Sequence, residues 1–476
     1  MPSLYRQIVP GIILPFYDRL SGRRFWDELQ NLRRLQWRSS GDLEERAAGR
    51  MKSLLVHAGR HVPYYRDLFS GAGIDLGKIA RTADLELLPV TTKAQLRLNF
   101  PARTLADNLS PGRFYMKRTS GSTGLPLEFF ADRAGIDLWM GSYLFFREWA
   151  DAPLWLTRLH ILAPPHFCGY LKNEASGAYS PGRSRLLRRW LLGEKVVSLS
   201  GIDLTLREFL FHIRHAGSRG YFLHAFPSYA AHLAMQVLDS GTGLPSPPRS
   251  VICYAETLTP SQQALIGRAF GCRVANQYSA LEVLHMAQTC PDYPAFFHVN
   301  SERAILRVVR QDGKAAQPGE RGRIIVTDLA NKAMPFINYD TGDWGVAGPP
   351  CPCGRGFPTL AGIEGRESEF LRTPAGRIVS PGTLGSFFMR PGGAYCYLWE
   401  YQAIQTATDS VTLLIVPTPS FSAPMSNRIA RDLEAWLGPG ISVTVALVDR
   451  IDAEPSGKRP MIKSGPASGQ TWIERC

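Results

Sequence analysis

Through "DLEERAAGRMKSLLVHAGRHVPYYRDLF", residues 42–69, apolar positions return at helical spacing until Pro63 interrupts them. The pattern predicts a mostly helical first hundred residues. After Ser110 it changes to short apolar strands alternating with amphipathic helices: "YFLHAFP", a helix from Ser228 to Leu238, a Pro/Gly/Ser linker, "SVICYAE", the helix "PSQQALIGRAF", then "CRVANQYS". This alternation is expected to run to about residue 345 and implies a mainly parallel sheet covered by helices, an α/β fold. Near residue 365 the rhythm changes again. The strands "YLWEYQAIQTA" and "SVTLLIVPT", a helix from Met425 to Leu437 and the strand "ISVTVALV" predict a small α+β domain of about a hundred residues. No internal repeat is present.

Composition adds little to this picture: 45% hydrophobic and 11% aromatic residues in 476 describe a globular chain with room for more than one core. No apolar run reaches the ~20 residues needed to span a bilayer. The segment "IVPGIILPFY", residues 8–17, is broken by two prolines, reads as a docking segment or surface loop, and lacks the marks of a secretory signal, so the expected compartment is the cytoplasm. The net charge of +13 favours an anionic partner, with "RLSGRRFW" and "RSRLLRRWLLGEK" carrying much of the excess. Nucleic acid is not expected as that partner, because the basic residues are scattered and no binding motif accompanies them. Nucleotide phosphates and solvated helix faces account for the charge.

The loop "KRTSGSTGLPLEFF", residues 117–130, carries the first candidate chemistry. Thr119, Ser120, Gly121, Ser122, Thr123 and Gly124 combine four hydroxyls with a backbone free to turn its amides toward one point, which suits a polyphosphate. An ordinary polar hairpin turn has the same composition. The loop is not the G-x-x-x-x-G-K-[ST] nucleotide loop, since Leu125 stands where a lysine is needed. Eight cysteines in a cytoplasmic chain argue against a disulfide framework, and "CPC" at 351–353 is the one local pair spaced for metal.

Taken in order, "HAGRHVPYYRDLF", "LPVTTKAQLR", "TSGSTG", "YAETL", "NQYSALE", "INYDTGD", "IEGRESEF" and "PSGKRP" resemble the motifs of the adenylate-forming enzymes. The resemblance is to the phenylacetate-CoA ligase-like branch, which includes proteins of the capsular-polysaccharide-biosynthesis type, and it extends over nearly the whole chain. It implies a large adenylate-forming domain over residues 1–365, with 1–109 as a helical entry segment, and a small mobile C-terminal domain over 366–476. It also implies ATP and Mg²⁺. Thr119 to Gly124 would close on the β- and γ-phosphates of ATP, with Thr123 among the catalytic groups, because such donors stabilise charge as pyrophosphate leaves.

By the same resemblance Tyr278 would stack on adenine, Ser279 and Ala280 would line the acyl end, and Glu282, on a helix, would hold Mg²⁺ through a hard oxygen. Ser279 replaces the usual glycine and adds bulk beside the substrate. Ala255 and Glu256 would present backbone to the adenine, and Asp343, rather than Asp340, would accept both ribose hydroxyls. Arg366 would position the nucleotide where the hinge begins. The hinge residue, usually aspartate, is Ser368 here, flanked by Glu367 and Glu369. Lys458, rather than Lys463, matches the late lysine that bridges the attacking carboxylate and the α-phosphate. Phe226 and Tyr229 are aromatic candidates for the acyl pocket or simply for the core.

The resemblance also brings Cys290 and His298 close to Cys351 and Cys353. Three thiolates and an imidazole would close a tetrahedral, structural zinc site; two buried thiols in a Pro/Gly turn are the alternative. Cys168, Cys253, Cys272 and Cys396 lie on apolar runs and read as core. The expected activity is ATP-dependent activation of a carboxylic acid as an acyl-adenylate, followed by transfer to a thiol, coenzyme A foremost. One alternative keeps the adenylate but passes the acyl group to a carrier protein or an amine. The other is a non-catalytic, envelope-associated protein helped to membranes by "RLLRRWLL". A homodimer is an open expectation.

Overall fold

The computed structural model describes residues 8–109, 114–119, 127–162, 196–200, 204–216, 220–241, 243–366, 369–390, 392–394, 397–454 and 458–464. The chain enters as helices. Residues Val9–Ile13 wind as one π-helical turn and run into α1 (Leu14–Ser21), so the stretch 8–17, expected as a docking segment or a surface loop, is helical. The prolines do not prevent this because they fall in the first turns, where no amide donor is required. Val9 and Leu14 are buried against α2 (Phe25–Leu35). Next come α3 (Ser40–His61) and α4 (Pro63–Gly71), separated where Pro63 opens the second helix. The short α5 (Lys93–Asn99) is held by a capping box between Thr92 and Gln95.

A two-stranded antiparallel ribbon, β1 (Phe114–Arg118) and β2 (Glu128–Asp132), leads to α6 (Arg133–Trp149). The alternating region then appears as β3 (Thr157–Leu162), β4 (Val196–Ser200), α7 (Leu206–Ala216), β5 (Tyr221–Ala225), α8 (Pro227–Asp239), β6 (Ser250–Tyr254), α9 (Pro260–Phe270) and β7 (Arg273–Tyr278). The strands lie parallel in the order β4, β3, β5, β6, β7. One face of these strands (Leu159, Ile161, Leu223, Ala225, Val251, Cys253, Val274) is buried with apolar residues of α7, α8 and α9.

The alternation ends at Tyr278, well before residue 345. From there β8 (Ala287–Thr289), β9 (Phe297–Val299), β10 (Ala304–Val309), β11 (Arg321–Asp328), β12 (Tyr339–Ala347) and β13 (Thr359–Arg366) extend the same sheet to eleven strands, every new pairing antiparallel. The reason is connection length: residues 290–296, between β8 and β9, are too few for a crossover helix. Residues 279–286 are a loop, so Glu282 does not stand on a helix as expected.

After β14 (Leu371–Arg372), β15 (Ile378–Val379) and α10 (Pro381–Met389), the chain builds a separate four-stranded sheet. Its strands β16 (Leu398–Ala407), β17 (Ser410–Pro417), β18 (Ser442–Leu447) and β19 (Ile462–Ser464) lie in the order β18, β17, β16, β19, with α11 (Ala423–Leu437) after β17. A second core from Leu371 to Ile462 holds it together. The tail elements fall within a residue or two of the expected ones. Among the described residues, no helix is long and apolar enough to cross a membrane.

Candidate active site

Strand β12 opens with the acid-rich turn Tyr339–Asp343, in which Gly342 takes φ 79°, a backbone region that side chains rarely adopt. The turn separates its two aspartates. Asp340 is spent locally: it is paired with Arg323, and its Oδ1 accepts the Gly342 amide at 2.8 Å. Asp343 instead meets the other expected site residues. Its Oδ2 accepts the Tyr278 hydroxyl at 2.8 Å, and its Oδ1 lies 3.4 Å from Arg366 Nε, across the register of β12 and β13. Tyr278 is buried, and that burial, with Asp343 beside it, drives the phenol well above its ordinary pKa.

Glu282 accepts a hydrogen bond from the Tyr339 hydroxyl at 3.2 Å, which sets a carboxylate beside the same turn. Ala255 is held at φ 67°, strained for a residue with a side chain and directly before Glu256. Ser279 Oγ accepts the His285 amide at 3.0 Å, so the side chain that replaces the usual glycine fastens the loop after β7. Ala280 packs against the central core. Phe226 and Tyr229 are both 2% exposed within the helix-covered core. Phe226 meets the Tyr254 ring edge-on at 5.1 Å, and Tyr229 lies beneath the Arg459 guanidinium at 5.4 Å.

Lys458 reaches this neighbourhood from the tail. Its surroundings contain Arg366 and three carboxylates, Glu369, Glu256 and Asp343. Burial pulls the ammonium below its ordinary pKa, Arg366 adds to that, and the carboxylates oppose it. Burial raises Glu369 to about 7 against the pull of Lys458 and Arg366. Lys463 is built into β19, paired with Ile404 of β16, inside the tail sheet. Of the phosphate-loop candidates only Thr119 is described. Its hydroxyl accepts the Leu127 amide at 2.8 Å and its own amide donates to Leu127 O at 2.9 Å, closing the neck of the loop. Ser120, Gly121, Ser122, Thr123 and Gly124 lie outside the described residues, as do Glu367, Ser368, Cys168, Cys396 and the segment "RLLRRWLL".

Two roles were missed in the sequence. Lys93, the first residue of α5, donates to Thr119 Oγ1 at 3.4 Å and feels Glu282, Arg366 and Lys458. A cation in a helix's first turn opposes the helix dipole, and that local conflict was the available signal. Glu256 was expected to offer only backbone, yet its carboxylate joins the two cores. One oxygen accepts the Ser228 amide at the start of α8 and the other the Arg459 amide, both at 3.1 Å. Arg459 also pairs with Glu400 at 3.0 Å.

The second cluster lies away from this cleft. Ligand atoms of Cys290, His298, Cys351 and Cys353 all fall within 4.8 Å of one another, with Cys351 Sγ 3.8 Å from Cys290 Sγ and Cys353 Sγ 3.3 Å from His298 Nε2. His298 Nδ1 is 3.3 Å from Phe357 O, an outer contact that orients the ring, and burial lowers the imidazole pKa to about 4, leaving it neutral. The donor set fits a four-coordinate thiolate and imidazole site with no position left open. Gly356 follows the cysteines, and a side chain there would collide with the Arg38 carbonyl. Arg355 meanwhile donates to Gln36 Oε1 at 3.0 Å and covers Trp37 and Trp149. Cys253 is buried in the core and Cys272 packs against it, as expected.

Comparison with known proteins gives the same orientation. The CapK C-terminal domain family matches residues 371–465. A phenylacetate-coenzyme A ligase of Thermus thermophilus is 27% identical over 333 residues, covering 68% of this chain and 70% of that protein. Protein CapK of Staphylococcus aureus is 19% identical over 92% of this chain and 91% of its own length. Among solved structures, 2-hydroxyisobutyryl-CoA ligase in its post-adenylation state, in complex with 2-HIB-AMP, superposes with a TM-score of 0.71 at 18% identity, covering 91% of this chain and 92% of that one. The same ligase in its thioesterification state gives 0.55 at 19% identity, covering 90% and 91%. The chain thus has the fold of the adenylate-forming ligases, relatives named phenylacetate-coenzyme A ligase and CapK, and a CapK C-terminal domain.

Proposed function

We propose that this protein is an AMP-forming ligase that activates a carboxylic acid with ATP and passes the acyl group to the thiol of coenzyme A. The observation that carries the reading is the gathering of Asp343, Arg366, Glu282, Lys93 and Lys458 into one electrostatic neighbourhood at the boundary of the two cores. In the first step a carboxylate oxygen attacks the α-phosphorus, the bond to the bridging oxygen breaks, and pyrophosphate leaves. Lys458 draws the two anions together, and Lys93 with the loop beyond Thr119 receives the departing charge. Asp343 accepts the ribose hydroxyls once Tyr278 turns its face to adenine, and Arg366 holds that aspartate. Glu282 would hold Mg²⁺, which supplies charge neutralisation between phosphate oxygens when bound.

In the second step the thiol sulfur attacks the acyl carbon and AMP leaves. The small domain, residues 366–476, turns between the steps, with residues 1–365 as the fixed part. The higher TM-score against the post-adenylation state of the solved ligase supports an arrangement with Lys458 poised for the first step. Cys290, His298, Cys351 and Cys353 would hold a structural zinc ion, which would tie the antiparallel end of the sheet together. We place the enzyme in the cytoplasm, where ATP and coenzyme A are supplied. A carboxylate library read by pyrophosphate release tests the assignment. Acid-dependent pyrophosphate, followed by AMP only after coenzyme A is added, is the expected result. If ATP binds but no acid releases pyrophosphate, the assignment falls. AMP release with an amine or carrier protein but not coenzyme A would move the acceptor.

A further inference from the structure

The parallel strands have a second face, toward α6, and its character changes along their length. At the strand beginnings it carries Phe222, Ile252 and Ala275, buried with Ala150, Ala152 and Leu156 in a small apolar cluster. Toward their carboxyl ends, where open α/β sheets bind ligands, the same face carries His160, His224, Tyr254 and Gln277. His160 and His224 are paired across β3 and β5, their rings stacked at 4.8 Å, and the Tyr254 ring stacks on His224 at 4.2 Å. The Tyr254 hydroxyl lies 2.7 Å from His160 Nε2. Arg158, two residues before His160, donates to the Tyr143 hydroxyl of α6 at 2.5 Å, and Tyr143 lies 5.3 Å from the ring of His285.

This group adjoins the reaction centre at two points. Tyr254 directly precedes the strained Ala255, and the His285 amide is bound to Ser279. His224 is 6% exposed, and neither of its ring nitrogens has a hydrogen-bond partner among the described residues; His285 Nδ1 and Trp139 Nε1 are buried in the same condition. A buried imidazole is costly without partners, and a neutral one presents one donor and one acceptor. Of the basic groups around His224, namely His160, Arg158, His285 and Arg147, the two arginines carry the positive charge, since burial holds His285 neutral. A purely apolar acyl chain would leave these nitrogens unpaired beside that positive field.

We propose, resting on the ligase reading, that this polar face forms the far end of the acyl site, and that the site takes a carboxylic acid whose far end carries an oxygen acceptor, a hydroxyl or a second carboxylate, bound by His224 with Arg158 and His160 beside it. Specificity is then set by rejection of apolar acids, because they strand buried polar groups. Matched probes separate the cases: phenylacetate, para-hydroxyphenylacetate and para-carboxyphenylacetate, together with hexanoate and adipate. In pyrophosphate release a polar member is expected to exceed its apolar counterpart in kcat/KM by about tenfold or more, and His224→Phe to cut that ratio by at least about tenfold. Arg158→Met is expected to weaken the dicarboxylates more than the hydroxy acid.

Calorimetry with a non-hydrolysable ATP analogue keeps the two readings apart. Binding of a polar probe that disappears in His224→Phe supports the pocket even if no acid is turned over, an outcome that would count against the ligase assignment alone. A preference for phenylacetate and hexanoate, or binding of the polar probes indifferent to His224→Phe, overturns the proposal while leaving acid activation intact.

Discussion

The Cys290, His298, Cys351 and Cys353 cluster draws all its members from one body, the antiparallel end of the large sheet, and brackets them with contacts to Gln36, Trp37 and Trp149. The cleft at Lys458 draws its members from two bodies. Asp343, Glu282 and Lys93 come with the eleven-stranded sheet and the helices before it, Lys458 and Arg459 with the four-stranded tail sheet, and Arg366 and Glu369 from the chain that connects them. Both places concentrate polar atoms in the interior, but in the first the atoms satisfy one another around a single point, whereas in the second charges of both signs are buried together, Lys458 and Arg366 with Glu369, Glu256 and Asp343. An arrangement that closes on itself serves stability. One that buries several charges and shifts their pKa values is prepared for chemistry.

That contrast can be broken experimentally, most sharply at Lys458. Lys458→Ala is expected to reduce acid-dependent pyrophosphate release by about a hundredfold or more, since it removes the cation proposed to draw the acid and the α-phosphate together. The same variant should convert a chemically supplied acyl-adenylate to thioester at close to the wild-type rate. Equal loss in both half-reactions would show that the lysine does not belong to the first pose alone.

At the other site the expected loss is in folding. Cys351→Ser or Cys353→Ser should release zinc and lower the melting temperature by about 5 °C or more, because structural metal contributes directly to folding. Adenylation measured on the folded fraction should fall far less than for Lys458→Ala. Protein purified without metal and melting unchanged after chelation would remove the site.

A smaller effect belongs to the link between the domains. Glu256→Gln can accept only one of the two backbone bonds well, and a hydrogen bond to a charged acceptor contributes roughly 1.5–3 kcal/mol. Adenylation should slow by about tenfold, with the melting temperature of the large domain nearly unchanged. A change in stability without a change in rate would make Glu256 a core residue only.

The mildest test is pH. Glu369 stands at about 7 in the folded protein against an ordinary 4.5, so the folded state holds its proton where the unfolded state has lost it. Its contribution is fully present below pH 4.5 and is lost as pH rises through about 7. Glu369→Gln should flatten the fall in unfolding free energy, read from urea titrations, across that window by at most about 1.4 kcal/mol per pH unit. An identical pH profile in both proteins would show that Glu369 ionises normally.

Much of this was legible in the chain because the signals were local. The helix interrupted at Pro63, the parallel strands up to Tyr278 and the main tail strands and helix follow from periodicity. The antiparallel half was not, since short apolar runs such as 297–299 read alike in either pairing and only the length of the connections decides. Asp343 and Lys458 are singled out by motifs, and Cys290, His298, Cys351 and Cys353 by the resemblance; the structure gathers each group in one place. The side-chain role of Glu256 could not be read this way, because its two partners, Ser228 and Arg459, lie far away in the chain on opposite sides of it. His224 was hidden for another reason: within "YFLHAFP" it reads as a tolerated polar residue in an apolar strand, and its register with His160 emerges only when β3 and β5 pair.

The loop that carries Lys458 contains two neighbouring backbone bonds of different reach. The Glu454 amide donates to Lys458 O at 2.9 Å, wholly inside the tail, while the Arg459 amide donates across the boundary to Glu256. In deuterated solvent these two amides form a paired clock. If the tail turns as proposed, the second bond breaks and the first remains, so Arg459 would take up deuterium at the rate of domain opening and Glu454 at the rate of local fraying. Their ratio reads the pose of the molecule during turnover without a dye, a tag or a crystal.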